Sequence, residues 1–490
     1  MNWDYLLIAY YLSLPFLMAI GAALGLVAVG VLGINRPKLM VYPFVIALIA
    51  IGGTSFGTND VFASRSIYTR GSGQVFYPIV FWMALAGLAW TKVSQAFNPR
   101  PRLECNLRPW MLGWLLLLGA HLVVGLLLGV EAGDILSTFG FANLVWMSVF
   151  ILLMVNAFDR EADVDELTKV ILLAALGHTL FGLVRWAAFG GDPANVYANR
   201  ENINVKLTFF DINDSLGCLL GMVIAAVRLS RDKRSQGFFW SAVCWASLLL
   251  SPLCIALSYR RTAWLGIVVA GAFTLVFLSR RDRWLALLTA VPVTLVGLGY
   301  VASKRLSQTK GAGGLTNFFY DLAGKSSGGL NQRQLELVLA WRDFIAHPIT
   351  GVGAWGHYKG ASLIEWQSSA RGGEGGAFLH SGFLHVALKS GLVGFILLMG
   401  LFFALTVFVW RVRKSVDPAR LPLFVAGVAG ILFLMPDMTA GTPIPQVRTM
   451  LIWGLCFALP YVAAQRHQVT ARPAPKLHPL VRRTNPAVGA

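Results

Sequence analysis

Residues 379–410 read LHSGFLHVALKSGLVGFILLMGLFFALTVFVW. Lys389 is the only Lys, Arg, Asp or Glu in this run, which is longer than the about 20 apolar residues that a helix needs to cross a bilayer. Because hydrocarbon offers no hydrogen-bond partners, such a segment must satisfy its backbone internally. The stretch therefore predicts a transmembrane helix.

Apolar runs of comparable length recur along the whole chain. Of its 490 residues, 56% are hydrophobic and 13% are charged, whereas soluble domains carry about 25% charged residues. We predict an all-α polytopic membrane protein with about 12 or 13 transmembrane helices, in which residues 1–465 form one transmembrane domain. The spans are expected near 5–33, 39–56, 76–96, 109–130, 135–156, 167–190, 207–229, 237–258, 262–278, 283–301, 379–410, 421–437 and 447–465.

The distribution of basic residues predicts the orientation. Lysine and arginine collect in alternate loops near 36–38, 92–108, 228–234, 280–283 and 411–420, as they do on the cytoplasmic side of membranes. The basic tail 466–490 is then cytoplasmic, and we expect it to be disordered. The long loop 303–378 faces the periplasm of a bacterial inner membrane. These loops account for the net charge of +18, so we expect contact with membrane lipids and no nucleic-acid partner.

Two arginines depart from this pattern. Arg260 and Arg261 lie in a very short periplasmic loop, where the topological bias disfavours them. An anionic partner on that face would explain both guanidinium groups, whose donors suit phosphate oxygens. The alternative is that both side chains reach toward lipid headgroups.

His380 is expected to open the span that follows it. At about 100° per residue, a helix would align it with a stripe of mostly small residues, namely Leu384, Ala387, Gly391 and Gly394. Close packing of a neighbouring helix on this stripe would hold the imidazole rigidly at the membrane surface. An ordinary interfacial histidine above a packing seam is the alternative.

The long loop is predicted to contain an amphipathic surface helix. Asn331 is the expected N-cap and Pro348 the stop, and the apolar positions are Leu335, Val338, Leu339, Trp341, Phe344 and Ile345. Arg333 would fall in the first turn, where an anion bound at the helix end would also be held by its guanidinium. Arg342 is a further candidate ligand on this helix, and solvated arginines are the alternative.

Polar residues also gather where another span begins on the same face. Lys206, Asp211 and Asn213 precede or open that span, and Arg185 lies near the periplasmic end of the span before it. Ionisable residues inside membrane segments are functional candidates by default. Helix capping and interface contacts are the competing explanation.

These segments together resemble the bacterial O-antigen ligase and polymerase superfamily. His380-Ser381 followed after nine residues by Gly391-Leu392-Val393-Gly394 resembles its histidine signature, and Arg261-Thr262-Ala263-Trp264-Leu265 its arginine motif. Arg333 with Trp341, His347-Pro348 and Gly351-Val352-Gly353 resembles its loop helix and glycine turn, and Phe209–Asn213 its Phe/Asn motif. Two departures are Lys206, where arginine is common, and Asp214.

The resemblance implies transfer of a glycan from undecaprenyl diphosphate to an acceptor sugar hydroxyl, with inversion, at the periplasmic face. His380 would be the general base, and Arg261 and Arg333 would stabilise the leaving diphosphate without a metal or other cofactor. Arg260, Lys206, Arg185, Asp211, Asn213 and Arg342 would bind diphosphate or sugar. The acceptor would be lipid A–core for a ligase.

Other functions stay open at this point. A polysaccharide polymerase or a protein O-oligosaccharyltransferase would use the same chemistry on another acceptor. A transporter or lipid-linked sugar flippase would need charges deep in the bundle, and no internal repeat supports that class. Asp211 and Asp214 also allow a metal-dependent glycosyltransferase. The five cysteines show no metal-binding spacing.

Overall fold

The computed structural model describes residues 36–51, 73–97, 105–158, 161–192, 206–231, 237–306, 329–364 and 379–464, with a few single positions between 20 and 31. Within these ranges the chain forms helices and no strands. They are α1 (Lys38–Ala50), α2 (Gly73–Phe97), α3 (Arg108–Leu127), α4 (Ala132–Ile135), α5 (Ala142–Ala157), α6 (Glu161–Ala188), α7 (Ile212–Arg231), α8 (Phe238–Ala256), α9 (Arg261–Val276), α10 (Arg280–Leu306), α11 (Gly329–Ala346), α12 (Gly382–Val412), α13 (Leu421–Ala440) and α14 (Val447–Ala464), with a short 3-10 turn at Ala361–Leu363.

The helices confirm the predicted fold class. In the part of the chain that the structure describes, eight are long and apolar enough to cross a membrane, and α1, α5 and α9 are shorter apolar helices. The predicted first span, near 5–33, falls almost entirely outside the described residues, as does the tail 466–490. The division into one membrane domain, a loop and a tail stays a prediction.

Burial separates the central helices from those that face lipid. Nearly every residue of α7 and α14 is buried, and most of α13 is buried as well. By contrast α3 and α10 expose large apolar side chains such as Leu116 and Leu288. A helix that is apolar all round is stable in the centre of a bundle or against lipid, so the exposed apolar faces mark the lipid-facing perimeter.

The stretch 379–410 is not the continuous span that its hydropathy predicts. The helix begins at Gly382, after the N-cap Ser381, and Gly391 interrupts it with φ 64° and ψ −164°. His380 therefore precedes the helix, and the expected stripe from His380 through Gly391 is broken. The second half, Leu392–Val412, extends about 30 Å at 1.5 Å per residue, which is the thickness of the hydrocarbon core.

A turn from the long loop fills the break. The amide of Leu392 donates to the carbonyl of Pro348 (2.7 Å), and the amide of Val352 donates to the carbonyl of Leu388 (2.8 Å). A Cβ on Gly391 would collide with the backbone of Ile349. Only glycine adopts this positive φ without strain and leaves room for the turn.

The loop helix is also corrected in two respects. α11 begins at Gly329, so Asn331 is not its N-cap and Arg333 lies beyond the first turn. A surface helix would bury its apolar face against the bundle, but of the six apolar residues named for it only Leu339 is buried and Phe344 half-buried. Leu335, Val338, Trp341 and Ile345 are exposed. Hydropathy periodicity identifies an apolar helix face, but it does not show whether protein or lipid covers that face.

Replacing the glycine at the break tests this architecture. Gly391→Ala should destabilise the protein by at least roughly 1–3 kcal/mol, because the left-handed conformation strains an alanine and the Cβ displaces the turn. The thermal unfolding midpoint in detergent micelles measures the change. Gly119→Ala on α3 is the control, since a Cβ there meets nothing within 4 Å. Equal midpoints for the two variants would contradict the account.

Candidate active site

His380 lies at the end of the bundle that also carries the α8–α9 turn, the α13–α14 turn and α11; we call this end the loop face. Its imidazole is held by Glu336 of α11. His380 Nδ1 is 2.9 Å from Glu336 Oε2, and the backbone amide of His380 donates to the same oxygen at 3.1 Å. The Glu336 side chain is completely buried, whereas the His380 side chain is 18% exposed.

This pair determines the tautomer of a neutral His380. An ionised carboxylate only accepts hydrogen bonds, so Nδ1 of a neutral His380 carries the proton and Nε2 is the acceptor. The carboxylate also fixes the orientation of the ring. The sequence analysis did not identify Glu336. A sequence pattern that could have identified it is its spacing from Asp343, seven residues later, because this spacing places two carboxylates on one helix face.

Arg333 lies on the same helix as Glu336. It lies three residues before Glu336, and side chains at this spacing are neighbours on a helix surface. The Arg333 side chain is exposed. Arg342 instead lies on another face of α11, where its guanidinium contacts Asp343 (3.1 Å) and the carbonyl of Lys359 (3.0 Å). These contacts stabilise the end of the helix against the loop.

Asp437 connects the α8–α9 turn with His380. It is almost completely buried at the end of α13, accepts a hydrogen bond from Thr262 and interacts electrostatically with Arg260, Asp211 and His380. Arg260 Nη2 lies 3.9 Å from its Oδ1. Asp437 was also missed, although a carboxylate at the end of an apolar span is a signal for such a role.

The side chains of the two arginines at the α8–α9 turn have different surroundings. The Arg260 guanidinium lies over the Phe210 ring, 5.0 Å from its centroid, with 25% of the side chain exposed. Arg261 begins α9 with an exposed side chain. The preceding residue, Tyr259, has φ 62°, a left-handed conformation that costs a non-glycine residue about 1–3 kcal/mol. The surrounding packing must therefore fix this turn.

Asp211 and Asn213 lie where α7 begins, in a buried polar network. Asp211 Oδ1 accepts hydrogen bonds from the backbone and side-chain nitrogens of Asn213, and the Asn213 amide also donates to Thr449 (2.8 Å). Asn213 thus ties α7 to α14, a structural contact of the kind that the sequence analysis kept as its alternative. Asp211 stays partly exposed at 21% and is the residue of this pair that a ligand could reach.

Arg448 is the centre of that network and was not predicted. Its Nη1 lies 2.7 Å from Asp214 Oδ1 and 3.3 Å from Asp211 Oδ2, and it donates to the carbonyl of Leu48. His178 Nε2 lies 3.0 Å from the same Asp214 oxygen. Both carboxylates of the metal-dependent alternative are therefore ion-paired with an arginine. Within the described ranges no group of three His, Cys, Asp or Glu side chains is placed to hold a metal ion; the expected independence from metals stays a prediction.

Arg185 and Lys206 occupy the entrance to α7 in different ways. Arg185 is buried, 3.0 Å from Asp192, and donates to the carbonyl of Thr208. Its guanidinium also lies 5.0 Å from the centroid of Phe209. Arg185 therefore holds the segments around Asp192 and Thr208 together, and its burial keeps it from a ligand. Lys206 is exposed, and its carbonyl accepts a hydrogen bond from Trp186.

Lys389, the only Lys, Arg, Asp or Glu in residues 379–410, lies just before the break in α12. It is buried and donates to the carbonyl of Gly356. One turn earlier His385 Nε2 lies 3.1 Å from the carbonyl of Gly140. Burial and the neighbouring Lys389 ammonium lower the pKa of His357 to about 4, so His357 is neutral at pH 7. These groups anchor the turn that supports α11.

Comparison with known protein families gives a match over part of the chain. Residues 246–399 match a family model described as O-antigen ligase, and no curated protein matches the chain. The matched segment runs from α8 into α12 and contains Arg260, Arg261, Arg333, Glu336 and His380; the α7 entrance lies outside it. This match over residues 246–399 confirms the predicted resemblance to the O-antigen ligase and polymerase superfamily.

Proposed function

We propose that this chain is a glycosyltransferase that moves a glycan from undecaprenyl diphosphate to an acceptor sugar hydroxyl at the periplasmic face of a bacterial inner membrane. The observation that carries the proposal is the pairing of His380 with the buried Glu336. A carboxylate that holds one imidazole nitrogen, and so leaves the other as the proton acceptor of the neutral ring, is the arrangement of an oriented general base.

In the proposed reaction, His380 Nε2 takes the proton of the acceptor hydroxyl. The acceptor oxygen attacks the anomeric carbon of the donor from the face opposite the diphosphate. The new carbon–oxygen bond forms as the bond to the diphosphate oxygen breaks, so the anomeric configuration inverts. Undecaprenyl diphosphate leaves with the bonding electrons, and the proton on His380 passes to solvent.

Cations at the loop face would stabilise the leaving group. Arg333 lies on the helix that holds His380, and Arg260 and Arg261 lie on the turn facing Asp437. Arginine binds diphosphate oxygens with paired hydrogen bonds, and such charges act most strongly where negative charge develops in the transition state. With these guanidinium groups the proposal requires no metal ion.

A flippase or transporter is less well supported by the placement of charge. The buried ionic groups Arg185, Asp214 and Arg448 lie near the loop-face ends of their helices, and buried Asp163, paired with Lys38, lies at the opposite end. Transport across the bilayer would need polar groups near the middle of the bundle. Buried charges at helix ends do not form such a path, and the cations of the loop face suit chemistry on a substrate presented there.

Loss of the imidazole should abolish transfer. His380→Ala is expected to lower the rate by about 10²–10⁴-fold, the usual contribution of a general base, in an assay with purified lipid-linked donor and a defined acceptor. Arg261→Ala and Arg333→Ala should weaken transfer in the same assay. His478→Ala in the tail is the control. Full activity of His380→Ala in membranes would refute the base assignment.

Glu336 is expected to act through His380 as a positioning residue. Glu336→Leu should lower kcat by at least about tenfold while leaving the donor KM unchanged, because ring orientation matters in the transition state more than in binding. Glu336→Gln, which keeps an acceptor for Nδ1–H, should recover part of the loss. The control is Asp343→Asn, the other buried acid on α11, which should change stability and not kcat. A changed KM with unchanged kcat would count against the assignment.

The acceptor separates a ligase from a polymerase. Following the family description, we expect transfer to lipid A–core, so deletion of the gene should leave uncapped core in extracted lipopolysaccharide. Ladder formation by the purified protein from single lipid-linked repeat units would instead identify a polymerase. Glycosylated protein in the wild type that is missing from the deletion strain would indicate a protein O-oligosaccharyltransferase.

A further inference from the structure

α11 has the reverse of the polarity expected for a surface helix in water. Its buried arc contains two acids, Glu336 and Asp343, together with Leu339 and Ala340, all at most 9% exposed. The opposite arc is exposed and mostly apolar: Val338 is exposed by 64%, Trp341 by 54% and Ile345 by 56%, and exposed Gln334 is its polar member. Leaving three large apolar side chains on one arc in water would be unfavourable. The exposed arc therefore requires an apolar covering.

The position of α11 along the bundle axis indicates what covers it. The turn that follows α11 docks at the Gly391 break, where the amide of Leu392 donates to the carbonyl of Pro348. Below that break, Leu392–Val412 has the length of one bilayer crossing. The C-terminal end of α11 thus lies at the level where the hydrocarbon core begins.

The apolar arc is also continuous with the lipid-facing surface. Ile349, just after α11, is 67% exposed, and its carbonyl accepts a hydrogen bond from the amide of Val393. Val393 and Ile396 of α12 are themselves exposed, as expected for a helix that borders lipid. Surface that is exposed on α11 therefore adjoins surface that the membrane covers.

We propose that α11 is a membrane-interface helix, with Val338, Trp341, Ile345 and Ile349 inserted into the periplasmic leaflet and Glu336 facing the protein. Helices of this kind lie in the plane of the interface with the apolar side buried among the upper acyl chains. Trp341 is the residue type that membrane interfaces favour. The occupant is the bilayer itself.

This placement gives the loop helix a role in catalysis, a step that rests on the proposed function. The same helix that inserts into lipid holds His380 through Glu336 and carries Arg333. The lipid therefore sets the height of the imidazole and the guanidinium above the hydrocarbon. A diphosphate attached to a membrane-embedded polyprenyl chain lies at that height, so the base meets the scissile bond without lifting the donor out of the bilayer.

Depth measurement in a bilayer tests the proposal without relying on activity. Nitroxide labels on Val338→Cys and Ile345→Cys, in the full-length protein reconstituted into phospholipid nanodiscs, report collisions with oxygen, which concentrates in lipid, and with a water-soluble nickel chelate. The native cysteines are all buried, which limits background labelling. Leu116→Cys on the lipid-facing side of α3 is the lipid reference, and Glu131→Cys in the exposed loop after α3 is the aqueous reference.

Both α11 labels should resemble the Leu116 label, with an oxygen-to-nickel ratio about tenfold above that of the Glu131 label. Ratios equal to the aqueous reference would overturn the proposal. Protection from both reagents would overturn it too, because a protein segment or a second copy would then cover the arc. Since transfer is not the readout, neither outcome bears on the His380 assignment, and His380→Ala activity tests that separately.

Discussion

The backbone groups released where α12 breaks are the constraint on which the loop face depends. A helix interrupted inside a membrane protein leaves donors and acceptors that lipid cannot satisfy. Here the turn between α11 and the 3-10 segment supplies the missing partners, so the break and the turn require each other. Because that turn is continuous with α11, the same hydrogen bonds fix the helix that carries Glu336.

Several arginines near the loop face are paired with aspartates. Arg448 is matched by Asp214 and Asp211, Arg185 by Asp192, and Arg260 partly by Asp437. Exposed charge at the loop face comes instead from Lys206, Arg261 and Arg333. The first group stabilises helix ends, because a buried charge is tolerated only when paired. The side chains of the second group are exposed, and the proposed function assigns Arg261 and Arg333, together with Arg260, to the leaving diphosphate.

Hydropathy and loop charge were enough to predict the fold class and nearly every described helix, because the bilayer imposes the length and polarity of a span. The histidine and the arginines were identified from motif spacing. Glu336, Asp437 and Arg448 were not, since each acts through a partner far away in sequence. The break at Gly391 was hidden as well: glycine at a packing seam and glycine at a positive φ look the same in sequence. For the same reason, the sequence does not show whether the apolar arc of α11 is exposed or packs against protein.

The ion pair between Arg448 and Asp214 has a consequence for how this sequence can change over evolutionary time. Removing one partner leaves an isolated charge among central helices, at a cost of roughly 3–5 kcal/mol, whereas apolar replacement of both is often tolerated. The two positions, more than 200 residues apart, are therefore expected to drift only in concert. Relatives that have lost the arginine at this point of the last helix should also have lost the aspartate on α7, so that covariation between the two columns records a contact that neither residue reveals alone.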